Sequence, residues 1–114
     1  MRMWKIEPHN LCRKHLLGEH VELHMMVGTL NKGVSIDGYL KNGLFEIHNI
    51  QTRHNDIVKE MENRGYNHNS PLPTFTEFVA GNIDSESNKT ELFKRCEGCR
   101  KRYEKTEGAK TAVA

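Results

Sequence analysis

The order of apolar and polar positions predicts a first helix from Pro8 to Thr29, with Asn10 suited to be its N-cap. Residues placed at 100° steps separate into two neighbouring stripes. The first stripe is apolar and should face the core; it consists of Cys12, Leu16, Leu23 and Val27. The second stripe is mixed and consists of Leu11, His15, Glu19, Glu22 and Met26. A histidine and two carboxylates are therefore expected beside the apolar seam of this helix.

Two further helices follow from the same periodicity. One runs from Leu44 to Arg64, and Gly65 stands where a glycine commonly ends a helix. Its buried stripe should contain Ile47, Ile50, His54, Ile57, Val58 and Met61. The other runs from Thr90 to Lys105, and a short helix is expected over Thr74–Ala80. The segments 31–43, 66–73 and 81–89 are rich in glycine, proline or polar residues and are predicted to be connections, the first of which is expected to have room for a short strand-like or helical turn.

These elements predict a compact all-α domain, a three-helix bundle-like fold over residues 1–105, followed by a flexible C-terminal tail over 106–114. The chain has 114 residues and a net charge of +2, which permits a nucleic-acid partner without requiring one. It has no apolar run of about 20 residues and no secretory signal, so we expect a cytoplasmic protein that makes no membrane contact. We also expect a monomer.

Two groups of residues have spacing that suits metal binding. The stretch 15–24 contains three histidines and two glutamates, and His20 and His24 are one helical turn apart. A solvated polar helix face is an equally good interpretation. Cys96 and Cys99 form a lone CxxC in a chain with three cysteines. Core packing is the first interpretation of this pair, a zinc clip is the second, and redox chemistry is the third.

Glu22 is a candidate for proton transfer. It is expected near the apolar seam and near His15, where partial burial would let a carboxyl group exchange protons at neutral pH. The alternative is an ordinary surface glutamate paired with Arg13 or Lys14.

Several of these residues belong to blocks that resemble a known family. The blocks are Met1-Arg2, His15-Leu16 with 19–23, and 53–66, which contains Arg53, Ile57, Glu60 and Arg64-Gly65-Tyr66. They resemble the phage pyrimidine-dimer DNA glycosylase family, also called phage endonuclease V. Bacterial members are similar to this chain over 11–20, which reads LCRKHLLGEH, and over 64–72, which reads RGYNHNSPL. The similarity covers about two thirds of the chain.

The resemblance implies an all-α DNA glycosylase that also cleaves abasic sites. In that family the α-amine of the first residue attacks C1′ of the damaged nucleoside and forms a Schiff base. A glutamate assists the proton transfers, and β-elimination cleaves the strand. Matched residue by residue, the nucleophile falls on Met1, the supporting arginine on Arg2, the active-site histidine on His15 and the glutamate on Glu22.

An N-terminal nucleophile is chemically reasonable here. Arg2 is bulky, so the initiator Met1 should be retained. An α-amine has a pKa of about 7.7–8.0, against about 10.4 for a lysine side chain, so much more of it is neutral and nucleophilic near pH 7. We therefore expect catalysis with no cofactor and no metal. The alternative for Met1 is an ordinary frayed terminus.

Double-stranded DNA with a damaged or modified base, or with an abasic site, is the expected partner. The candidate DNA contacts are Arg13, Lys14, Glu19, His20, His24, Lys32, Arg53, His54, Arg64 and His68. Of these, Lys14 and His54 match glutamine contacts of the family. The dimer-specific phage enzyme has arginines where this chain has Val21 and Met25, and it has an aromatic-rich tail that is absent here. These differences weaken the expectation of pyrimidine dimers as the substrate.

Two other classes of function stay open at this stage. One is a catalytically silent relative that binds nucleic acid or protein. The other is a metal-dependent nuclease that uses His20, His24 and a carboxylate.

Overall fold

The protein is described by a computed structural model, which covers residues 1–68 and 70–112. Five helices, with no strand in the described residues, form the fold: α1 (Arg13–Asn31), α2 (Asp37–Lys41), α3 (Ile50–Asn63), α4 (Ser85–Arg95) and α5 (Glu97–Ala112). Short 3₁₀ turns at Pro8–Asn10 and Ile47–Asn49 precede α1 and α3. The all-α fold expected from the sequence is confirmed.

The core lies where α1 packs against α3, with α5 packed on the first 3₁₀ turn. Leu16, Leu23 and Val27 of the predicted apolar stripe are fully buried. The fourth member, Cys12, is instead the N-cap residue of α1. On α3, the predicted buried positions Ile50, His54, Ile57 and Met61 are also confirmed.

The N-terminal segment 1–7 is anchored to this core. Met3, Trp4 and Ile6 are each at most 4% exposed. The backbone N–H of Met3 donates to the carbonyl of Leu44 over 2.7 Å, and that of Trp4 donates to Glu19 Oε1 over 3.2 Å. The first residues are therefore held in place by burial and by backbone hydrogen bonds rather than frayed.

Several predicted boundaries are wrong. The backbone of Leu11 is extended, so the first helix begins at Arg13 instead of Pro8. The second predicted helix begins at Ile50 instead of Leu44, because a 3₁₀ turn at Ile47–Asn49 precedes it. The predicted third helix, Thr90–Lys105, is two helices, because Cys96 adopts an extended conformation (φ −123°, ψ 106°) between α4 and α5. Helix α4 begins earlier, at Ser85, where Asp84 caps it by accepting a 3.0 Å hydrogen bond from the N–H of Ser87.

The connections agree with expectation only in part. Thr74–Ala80 is not helical; its backbone is bound to other elements, since Thr74 accepts from Asn31 Nδ2 and Ala80 accepts from the N–H of Ile47. The connection 31–43 agrees with expectation, since the five-residue helix α2 is the short helical turn that is one of the two possibilities there. Helix α5 extends through most of the predicted tail to Ala112, and positions 113–114 lie outside the described residues.

None of the described helices has the length and apolar character that a membrane span requires.

Candidate active site

A cleft of about 400 Å³ lies between the N-terminal segment, α1 and the end of α4. Its volume is within the range of roughly 300–1,000 Å³ that is typical of ligand sites. The residues that line it are Met1, Arg2, Trp4, Lys14, His15, Gly18, Glu19, Glu22 and Arg95. The cleft thus contains all four predicted catalytic residues.

The N-terminal amine and the Glu22 carboxylate face each other across this cleft. The Met1 nitrogen lies 4.0 Å from Glu22 Oε1, and the backbone N–H of Arg2 donates to Glu22 Oε2 over 3.3 Å. The side chain of Met1 is 10% exposed and that of Glu22 is 33% exposed. A small movement of either group would therefore bring the Met1 amine and the Glu22 carboxylate into hydrogen-bond contact. Both groups line a cleft that is open to solvent.

Trp4 organises the cationic side of the cleft. The Arg2 guanidinium lies 4.2 Å from the centre of the Trp4 ring, and that of Arg95 lies 4.8 Å from it. Arg2 Nη1 also donates to Glu91 Oε2 over 2.5 Å, which ties the N-terminal segment to α4. Trp4 and Arg95 were not predicted from the sequence, since a cation 91 residues after Trp4 has no local signal that would place it here.

A buried ion pair lies beneath the cleft. Arg53 donates from Nε to Glu19 Oε2 over 2.5 Å and from Nη2 to Glu19 Oε1 over 3.0 Å. Its Nη1 donates to the carbonyl of Ile6 over 2.7 Å. Glu19 is 1% exposed and Arg53 is 7% exposed. The ion pair holds the backbone at Trp4 and Ile6 by hydrogen bonds, and this backbone in turn positions the N-terminus at Met1.

His15 connects the cleft to three thiols. Its Nδ1 lies 3.2 Å from Cys12 Sγ and 3.5 Å from the Sγ atoms of both Cys96 and Cys99. Burial lowers the pKa of His15, and the nearby charges of Arg95 and Lys14 lower it further. Burial raises the pKa of the Cys99 thiol to about 12. These four side chains could hold a metal ion.

The remaining predicted histidines form a second group. His20 and His24 of α1 meet His54 of α3 and His68, with the Nε2 atoms of His20 and His68 separated by 2.9 Å. Burial, and then the neighbouring imidazoles, lower the pKa of His20 to about 4. This group has four histidines and no carboxylate, which differs from the two-histidine and carboxylate site of the nuclease hypothesis.

The other candidate DNA contacts are spread over the surface. Lys14 lines the cleft, and Lys32 lies in a neighbouring depression that Met1 also borders. Arg13 is exposed and stacks 4.9 Å from the centre of the Tyr66 ring. Arg64 is partly buried and donates to the carbonyls of Pro8 and Leu11, which connects it to the turn before α1.

The family model described as pyrimidine dimer DNA glycosylase matches residues 1–74. This is more than half of the chain, so the protein belongs to the pyrimidine dimer DNA glycosylase family. Membership supports a DNA glycosylase role in general, acting in DNA repair. No curated protein and no solved structure was found to match the chain.

Proposed function

We propose that this protein is a DNA glycosylase with abasic-site lyase activity, in which the α-amine of Met1 is the nucleophile and Glu22 moves the protons. The observation that carries the proposal is the 4.0 Å separation between the Met1 nitrogen and Glu22 Oε1 in an accessible cleft.

The chemistry needs an amine in its neutral form. The neutral Met1 amine attacks C1′ of the nucleoside, the glycosidic bond breaks, and the base leaves with a proton. Ring opening gives a protonated imine between Met1 and the sugar. Removal of a C2′ proton then expels the 3′ phosphate by β-elimination, and water hydrolyses the imine. In this proposal Glu22 accepts and returns the protons at each step, a kind of catalysis that typically contributes about 10²–10⁴ in rate.

Arg2 and His15 take supporting parts in this proposal. Arg2 is held by Glu91 and by the face of Trp4, so its backbone N–H, which donates to Glu22 Oε2, is fixed in direction. His15 has Nδ1 turned toward the thiols. Any contact of His15 with substrate therefore uses its other ring nitrogen.

Three cations beside the cleft suit the DNA backbone. Lys14, Arg2 and Arg95 line the cleft, and cations at such places contact phosphates without reading the sequence. Direct contacts from Lys32, Arg13 and the buried Arg53 stay predictions. The sugar carbon of a duplex is reached by bending the DNA and displacing a nucleotide.

The lesion is a separate question from the chemistry. Val21 and Met25 are 54% and 53% exposed on α1, and Met25 lies in the depression that Met1 borders. An apolar surface here would pack against a displaced base rather than pair with phosphate. We propose a damaged base or an abasic site in double-stranded DNA as the substrate.

The test is borohydride trapping on a duplex that contains one abasic site. The native chain should form a covalent adduct with DNA. A variant with one residue added before Met1, whose amine is displaced from Glu22, should form little adduct, whereas the same residue added at the C-terminus should have no effect.

Glu22→Gln should slow strand cleavage by about 10²–10⁴, and Glu86→Gln, an exposed glutamate of α4 outside the cleft, should leave the rate unchanged. If the native protein binds the abasic duplex but borohydride traps no covalent adduct, the protein is better explained as a catalytically silent DNA-binding relative. Strand cleavage that needs a divalent metal ion and gives no borohydride adduct would favour a metal-dependent nuclease.

A further inference from the structure

We propose that Cys12, His15, Cys96 and Cys99 bind a structural zinc ion, which fastens the C-terminal helices α4 and α5 to the start of α1. We refer to these four residues as the thiol cluster. The proposal does not depend on the glycosylase activity.

The distances in the thiol cluster match those of a zinc site. Zinc binds thiolate sulfur at about 2.3 Å and imidazole nitrogen at about 2.0–2.1 Å in tetrahedral geometry, so ligands should be roughly 3.8 Å apart for two sulfurs and roughly 3.5 Å apart for sulfur and nitrogen. Cys12 Sγ and Cys96 Sγ are 3.9 Å apart. His15 Nδ1 is 3.2 Å from Cys12 Sγ and 3.5 Å from the other two sulfurs. All four ligand atoms lie within 4.8 Å of one another.

Hydrogen bonding alone does not explain this convergence. Nδ1 of a neutral histidine is either one donor or one acceptor, yet three thiols are directed at it. A disulfide does not explain it either, because bonded sulfurs are about 2.05 Å apart and all three cysteines are free. A tetrahedral cation satisfies the three sulfurs and the nitrogen together.

The local backbone is shaped around these ligands. Cys12 is the N-cap of α1, and its N–H donates to Cys99 Sγ over 3.2 Å, the kind of contact that orients a thiolate. Cys96 is the extended residue that separates α4 from α5. A Cβ at Gly98 would lie 3.1 Å from the Cys12 Cβ, a tight contact that glycine avoids, so the backbone at Gly98 passes close to Cys12. The extended residue between α4 and α5 thus allows both Cys96 and Cys99 to reach the start of α1.

Four protein ligands leave no open coordination position, which is typical of structural zinc. A metal ion there would affect the cleft by holding one of its lining residues, Arg95, in place. Arg95 immediately precedes Cys96, so a metal at the thiol cluster would fix the end of α4 where Arg95 meets Trp4. Metal on Nδ1 of His15 would also keep the proton of this imidazole on Nε2.

The experiment measures metal in the full chain, purified under reducing conditions, supplied with Zn²⁺ and then freed of loosely bound ions. The native protein should retain zinc, and the Cys96→Ser and Cys99→Ser variants should each contain one zinc ion per chain fewer than the native protein. His9→Gln changes a partly exposed histidine outside the thiol cluster and should keep it. Since a cysteine variant can fail to fold, the native chain stripped by chelator should be loaded with Co²⁺, which should give thiolate-to-cobalt charge-transfer absorption.

If the native protein is folded in the presence of Co²⁺ but shows no thiolate-to-cobalt absorption, the proposal is wrong. So would a zinc content that the cysteine substitutions leave unchanged. A disulfide among the three cysteines in freshly isolated protein would likewise overturn it and would identify a redox pair.

A different observation supports a second metal site at His20, His24, His54 and His68, which we call the histidine cluster. The ring nitrogens His24 Nε2, His54 Nδ1 and His54 Nε2 are shielded from solvent and have no hydrogen-bond partner within 3.5 Å among the described residues. His54 has only weaker contacts, with Asn55 and the backbone of Ser70, and as a whole residue it is 3% exposed. Polar atoms in that situation are costly, and a bound cation is one way to satisfy them.

We infer that the histidine cluster binds a divalent transition-metal ion. Imidazole ligands suit zinc, copper, nickel and iron, and the four rings come from α1, α3 and the segment after α3. His54 and His68 also border a separate cleft of about 480 Å³. Such an ion would be reached from that side, away from the cleft that contains Met1.

Titration of the chelator-stripped chain with Zn²⁺ distinguishes the two clusters. Native protein should bind two ions; His68→Asn, which removes a partly exposed ligand, should bind one and keep the cobalt–thiolate absorption. His9→Gln should bind two. If native protein binds only the ion that the cysteine substitutions remove, the four histidines form a metal-free hydrogen-bonded group and the second proposal is wrong.

Discussion

Arg53→Met tests the energetic role of the buried ion pair. The substitution keeps an unbranched side chain but removes three hydrogen bonds, two to Glu19 and one to the carbonyl of Ile6. Glu19, which is 1% exposed, would then be a buried carboxylate whose remaining hydrogen bond comes from the N–H of Trp4. Removing one member of a buried pair typically costs about 3–5 kcal/mol. At roughly 3–6 °C per kcal/mol for a chain of this size, Tm should fall by about 9–30 °C.

Urea denaturation, with the midpoint and slope both fitted, measures this change. The double variant Glu19→Gln with Arg53→Met should be more stable than Arg53→Met alone, because it no longer contains the unpaired charge. Lys101→Met, which removes an exposed pair with Glu97, should leave the free energy of unfolding nearly unchanged. A loss below about 1 kcal/mol for Arg53→Met, or strict additivity in the double variant, would refute the reasoning.

Three further predictions rest on individual contacts. Lys14→Gln and Arg95→Gln should weaken binding to duplexes of any sequence and each reduce the salt slope by about 0.9, as titrations at several salt concentrations would show. Gly81→Ala should strongly destabilise the fold in thermal melts, because Gly81 has φ 93° and a Cβ there would meet the Phe45 carbonyl oxygen. Burial raises the pKa of Glu46, but hydrogen bonds from Lys5, Ile83 and Asn49 outweigh it and lower the pKa below 4.5. The stability advantage of native protein over Glu46→Gln should therefore be full above pH 4.5 and decline as the pH falls below it.

Local periodicity located the helix pair α1 and α3 and their buried faces, although it missed where each helix begins. Leu16, Leu23 and Val27 are buried as their spacing predicts, because a helix of this length must bury its apolar stripe somewhere. The same spacing placed His15, Glu19 and Glu22 along one side of α1, and all three line the cleft.

Long-range packing decided what periodicity could not. The segment 90–105 is predicted as one helix, yet the chain is extended at Cys96. The Cys96 sulfur lies 3.9 Å from Cys12 Sγ and 3.5 Å from His15 Nδ1, residues more than 80 positions away that local periodicity cannot relate to it. The four histidines come together for the same reason. His20 and His24 share a helix turn, but only the packing of α1 on α3 adds His54.

The role of the N-terminal amine is tested most sharply by identifying the atom that becomes bonded to the sugar. Native protein is trapped with borohydride on an abasic duplex and digested, and the modified peptide is sequenced by mass spectrometry. We expect a single reduced linkage on the α-nitrogen of Met1. A linkage on a lysine side chain such as Lys14, or no linkage from an active preparation, would show that Met1 is not the nucleophile.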